Sequence, residues 1–197
     1  MGIYLVSVGA SEWFGPAAED GMGEVAAALD AELVRRGAAP YASVPEEPEE
    51  FVRGAGQSFE EKLIPAMDGF TALCRRHLTP AEFEMFGGWS VLVPLSLPDT
   101  VELPVPSSYE DRTVIAGAPQ VLALAQRLAT AIELPAEVPA TSDNLDLTLW
   151  LAEGSARELA RLRPGPWTED LDAAFYVALF LRAAEHSLRR GCPLTFC

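Results

Sequence analysis

The segment TEDLDAAFYVALFLRAAEHSLRRG, residues 168–191, constrains this chain most. It reads as one long helix, and its middle, Ala173 to Leu181, is apolar on every side. A helix without a polar face has to be buried, so other elements must wrap around it. Glu169 and Asp170, just after Thr168, suit the positive end of the helix dipole, and Arg189 suits the negative end.

The rest of the chain supplies that wrapping in short pieces. Ile3 to Val8 is rich in β-branched and aromatic residues and stops at Gly9, which predicts a strand. Residues 24–37 put Val25, Leu29 and Leu33 at helical spacing, with Arg35, Arg36 and Gly37 as the stop. Ser58 and Glu61 have capping-box spacing and predict a helix start, which Pro65 should kink or restart. Thr79, Pro80 and Glu82 open a further short helix that ends at Gly87 and Gly88. From Trp89 the period changes, and β segments are expected at 89–93, 100–103 and 113–116. Pro94, Pro98, Pro104 and Pro106 keep those strands short or at an edge, because proline cannot donate to a ladder. Residues 118–134 form a helix with Val121, Leu124, Leu128 and Ile132 on one face. Residues 143–151 alternate Leu145, Leu147, Leu149 and Leu151, which predicts a strand; a helix from Ser142 or Asp143 is the alternative. Ser155 and Glu158 cap another helix over 155–164, and the closing CPLTFC adds a strand.

This order predicts an α+β fold: a mostly antiparallel sheet of short strands, helices packed on one side, and the long C-terminal helix in the core. A chain of 197 residues with no dividing linker fits a single domain over 1–197. An acidic Pro/Glu loop near 40–57 is the one segment expected to stand apart, as a solvated loop and possible lid or contact arm.

Charge narrows the partners. Twenty-nine acids against fourteen bases leave a net charge of −15, and Lys62 is the only lysine. Such a chain repels nucleic acid and anionic membrane surfaces and suits a basic protein partner or a small cationic or polar ligand. The opening MGIYLVSVGA has a short apolar run and no basic start, so neither a signal peptide nor a membrane span is expected. Three cysteines are too few for a disulfide framework, and a cytoplasmic location is the default.

Few residues read as chemistry. Cys74 and His77 share a helical sector with Met67 and Phe70, so the thiol reads as a small core side chain and the imidazole as a partner for helix-end carbonyls. A zinc site would need two more ligands, which Cys192 and Cys197 supply only at loose spacing; no metal and no cofactor are expected. His186 stands with Arg182, Glu185 and Arg189 at helical spacing, a stripe expected to face solvent. No Walker loop, dinucleotide fingerprint, nucleophile elbow or zincin motif occurs.

Two constellations remain. Arg53, Gly54, Gly56 and Ser58 could present free amides and charge to an anion. Asp143 and Asp146 beside Trp150, with Tyr109, Arg112 and His186 on loops and helices near strands, could line a carboxylate- and Trp-walled pocket. A second acidic-aromatic group is Trp167, Glu169, Asp170 and Asp172, where the plain reading is a core indole and helix-start acids. The favoured expectation is a non-catalytic interaction or binding module, for example an immunity-type partner of a basic protein; the alternative is a small-molecule-binding enzyme using the Asp143 pocket.

Overall fold

The structure, a computed structural model, describes residues 2–16, 21–47, 50, 52–107 and 111–197. Among the described residues six strands form one sheet: β1 (Tyr4–Ser7), β2 (Glu60–Lys62), β3 (Val91–Val93), β4 (Val101–Leu103), β5 (Thr113–Gly117) and β6 (Leu194–Phe196), in the order β2-β1-β6-β3-β5-β4. Every neighbouring pair is antiparallel except β3 with β5, where Val91, Leu92 and Val93 face Ile115, Ala116 and Gly117 in parallel. The helices are α1 (Ala10–Trp13), α2 (Gly23–Arg35), α3 (Asp68–His77), α4 (Pro80–Gly87), α5 (Ala118–Ala131), α6 (Asp146–Ala152), α7 (Ser155–Leu162) and α8 (Leu171–Arg190). The fold is α+β, with a mostly antiparallel sheet of short strands.

The pleat decides what lies on each face, since alternate side chains point opposite ways. Leu5, Leu92, Ala116 and Leu194 face the thick layer of α3 and α5 to α8. There α8 is buried along most of its length and packs on α5. Phe180 fills the centre: its ring is stacked on Phe70 at 5.5 Å and lies 5.1 Å from Phe86 and 5.8 Å from Trp89. Val91, Val93, Val101, Leu103 and Ile115 face the other way, onto a thinner cover built from α1, α2 and Tyr41 and Val44 of the Pro/Glu loop. Most helices thus share one side, while α2 closes the second face of β3, β4 and β5. All four tryptophans are buried.

Several local expectations change. No strand forms within 143–151: Asp146–Ala152 is α6, the helical alternative with a later start, with Leu147 inside, Leu149 half-buried and Leu151 half-buried against the core. Ser58 and Glu61 do not cap a helix: Glu60–Lys62 is the edge strand β2, and α3 begins only after Pro65. Glu61 turns inward to a tertiary partner, and β-pairing with Tyr4–Val6 prevails over the local capping pattern. Ser155 is likewise not a cap, since Gly154 occupies the N-cap of α7 with φ +91°. The Thr79–Glu82 capping box does form: Thr79 Oγ1 accepts from the Glu82 amide at 3.3 Å, and the Glu82 carboxylate accepts from the Thr79 amide at 2.7 Å. The first half of the Pro/Glu loop is not a free arm. Tyr41 and Val44 are buried, the Tyr41 hydroxyl donates to the Gly191 carbonyl at 2.7 Å, and the Ala10 amide donates to the Pro45 carbonyl at 3.0 Å.

Candidate functional site

The two sets of residues expected to bind outside ligands bind each other. The Gly56 amide donates to Asp143 Oδ2 at 2.8 Å and the Ser58 amide to Asp143 Oδ1 at 3.2 Å, while the Ser58 hydroxyl donates to the Asp143 carbonyl at 3.0 Å. Arg53 pairs with Asp146 Oδ1 at 3.2 Å, and Asp146 Oδ2 accepts from the Thr141 hydroxyl and the Asp143 amide. Amides do converge on an anion, as the glycines suggested, but that anion is the chain's own carboxylate. Gly54 and Gly56 adopt φ of +80° and +66°, which lets the 53–58 loop bend around Asp143.

The same turn is braced from below. Glu61 is fully buried, and its carboxylate accepts from the Leu147 and Thr148 amides at 2.8 Å each and from the Thr148 hydroxyl at 2.7 Å. It therefore caps α6 from the neighbouring strand, a role a side chain of α6 itself would ordinarily fill. Burial raises the Glu61 carboxyl above its ordinary value, and the three donors act against that rise. Leu145, just before α6, has φ +59°, a left-handed conformation that costs a branched residue roughly 1–2 kcal/mol and is held by the bonds on either side.

His186 is a correction. It is only 2% exposed, not on a solvent-facing stripe: α8 turns this residue toward Phe59, whose ring lies 5.6 Å away, and the 53–58 loop reaches the same end of the helix through Gly56. Burial, then the nearby Arg189 and Arg190 charges, push its pKa down to about 3. Arg189 Nη2 lies 3.3 Å from Nδ1, so the neutral ring accepts there and carries its proton on Nε2, which has no partner among the described residues. Arg189 also reaches the Gly56 carbonyl at 3.4 Å. His186, Asp143 and the loop thus meet, yet as a closed cluster.

The other candidates scatter. Trp150 is buried and stacked on Trp167 at 6.2 Å. Arg112 pairs with Glu102 of β4, at the sheet edge opposite β2. Tyr109 lies outside the described residues. Burial raises Cys74 to about 12 and Cys192 to about 11, and burial with the Glu12 and Glu60 charges raises Cys197, so each thiolate is disfavoured. Among the described residues no three His, Cys, Asp or Glu side chains come together as metal ligands would.

Open space and uncompensated charge lie elsewhere. A cleft of about 270 Å³ opens where α3, the end of α5 and the start of α8 meet, with Arg76, His77, Trp167, Glu169 and Asp170 among its walls. On the far side, Glu46 and Glu47 sit beside Gly9 and the start of α1, and the Ser11 amide donates to Glu46 at 3.3 Å. Burial and the charge of Glu47 raise the Glu12 carboxyl, and Arg190 lines the same hollow as Glu46 and Glu47 without forming an ion pair with either among the described residues. Sequence reading had marked the acidic Pro/Glu loop and the Trp167, Glu169 and Asp170 group, but not the hollow beside Gly9 or the cleft that joins Glu169 and Asp170 to Arg76 and His77. The remaining forward signals were small residues at Gly69, Ala131 and Ala173.

Fold and surface together define an acidic α+β domain, with the marked carboxylates used internally. Comparison with family models, curated proteins and solved structures finds no match to this chain, so the functional reading rests on its own geometry.

Proposed function

We propose that the protein is a non-catalytic interaction module that engages a basic protein partner. The observation carrying this reading is the acidic group Glu12, Glu46 and Glu47: Glu46 accepts from the Ser11 amide next to Glu12, and burial with the charge of Glu47 raises the Glu12 carboxyl. Like charges held together cost energy, and an approaching cation recovers it. The net charge of −15 extends the attraction beyond the patch and speeds association with a basic surface. Asp143 and Asp146 spend hydrogen bonds on the chain's own amides and arginine, which favours a structural role for that pair over the alternative of an enzyme built on it.

The test is capture from lysate at low and high salt, followed by reassembly from purified components. A basic protein should bind directly, with affinity falling as salt rises, and the double substitution Glu46→Lys with Glu47→Lys should weaken it at least about tenfold. Direct partners that bind regardless of salt, or that ignore the charge reversal, would defeat the reading.

A further inference from the structure

We infer that the cleft between α3 and α8 is a binding site for a small zwitterion of the α-amino acid class. The cleft exists because small residues, among them Gly69, Ala131 and Ala173, stand where three helix segments meet and leave about 270 Å³ unfilled. That is near the lower end of the range for small-molecule sites, which favour gaps between helices.

Its walls carry opposite charges. Arg76 and His77, in the last turn of α3, line one side, and Glu169 and Asp170, before α8, line another. None of these four is in an ion pair among the described residues. Two acids and two bases that share a cleft yet do not close on each other leave both charges available to a ligand bearing the complement of each.

One of the acids is held in place. Asp170 Oδ1 caps α8 by accepting from the Ala173 amide at 2.9 Å. Its Oδ2 rests over Gly69, where any Cβ would overlap it. A carboxylate with one oxygen committed and its position set by two helices loses little freedom when a ligand ammonium arrives. The planar guanidinium of Arg76 matches a carboxylate in a two-point contact. Leu73, Ile132 and Trp167 supply apolar wall between the charged rims, and Trp167 is kept rigid by its stack on Trp150 and by its indole N–H, which donates to the Arg163 carbonyl at 3.1 Å. An ammonium, a carboxylate and an apolar side chain on one small frame is the ligand that answers all three surfaces. This site is independent of the Glu12–Glu46–Glu47 patch.

The test is titration calorimetry of the purified protein with the free L-amino acids, followed by N-acetyl and carboxamide derivatives of any that bind. At least one amino acid with an apolar side chain should bind, and blocking either end should weaken it at least about tenfold. Arg76→Ala and Glu169→Gln alter exposed side chains that no described bond uses, so the fold should survive; each should lower affinity about tenfold while the melting temperature without ligand stays unchanged. The inference is overturned if no free amino acid binds up to about 10 mM, if blocked derivatives bind equally well, or if both variants bind like the parent.

Discussion

At the scale of single residues, buried ionisable groups set how stability depends on pH. His186 is neutral in the folded protein, with its pKa at about 3 against 6.5 in the open chain. A lowered imidazole stabilises the fold fully above pH 6.5, and that contribution drains away as pH falls toward 3. Between pH 6.5 and 4.5 the loss is about 2–3 kcal/mol at roughly 1.4 kcal/mol per unit. Glu61 has the opposite sign: its raised carboxyl favours the fold at low pH and loses that advantage as pH climbs above 4.5. Replacing His186 with Phe keeps a ring against Phe59, removes the unpartnered Nε2 proton and should cancel the imidazole's share of the acid-side decline. Urea unfolding of both proteins at pH 7 and pH 4.5 measures this; equal losses in the two would refute it.

At the scale of elements, the 53–58 loop, the 141–146 turn, β2 and α6 act as one unit. Asp143 is its centre, because it collects amides from a loop far away in sequence while lying only 2% exposed. Asp143→Ala should cost about 2–4 kcal/mol, since it strips acceptors from the Gly56 and Ser58 donors. Amide hydrogen exchange at Gly56 and Ser58 should accelerate well before exchange in α5 or α8 does; unchanged protection at those amides would show that the carboxylate does not hold the loop. The exposed Arg53–Asp146 pair adds little beside this, as surface ion pairs generally do. This arrangement was only half legible in the sequence. The glycines announced a bent loop, and the aspartates announced acceptors, but that they serve each other depends on Glu60 of β2 bonding the backbone of Ser142 and Leu145. One-dimensional spacing carries no trace of that pairing.

At the scale of the whole molecule, the excess of fifteen negative charges opposes compaction, because folding brings like charges closer together. The aromatic centre around Phe180 and the buried length of α8 hold the fold against that repulsion. Moving from about 10 mM to about 150 mM salt shortens the screening length from roughly 30 Å to roughly 8 Å. The melting temperature should therefore rise by several degrees over that range. A calorimetric scan that shows no rise would mean the acids are spaced too widely to strain the fold.

What the sequence determined by itself was the burial of α8, the α+β class, the places of most elements and the sign of the surface. Each follows from local periodicity or composition, which water reads directly through apolar stripes and charge. The tertiary structure alone decided between strand and helix for Asp146–Ala152, that Glu61 belongs to a strand and Ser58 caps no helix, that His186 is buried, and where the open cleft lies. In each of those cases two distant segments compete for one another's polar groups or volume. Their pairing free energy exceeds the fraction of a kcal/mol by which local preference differs.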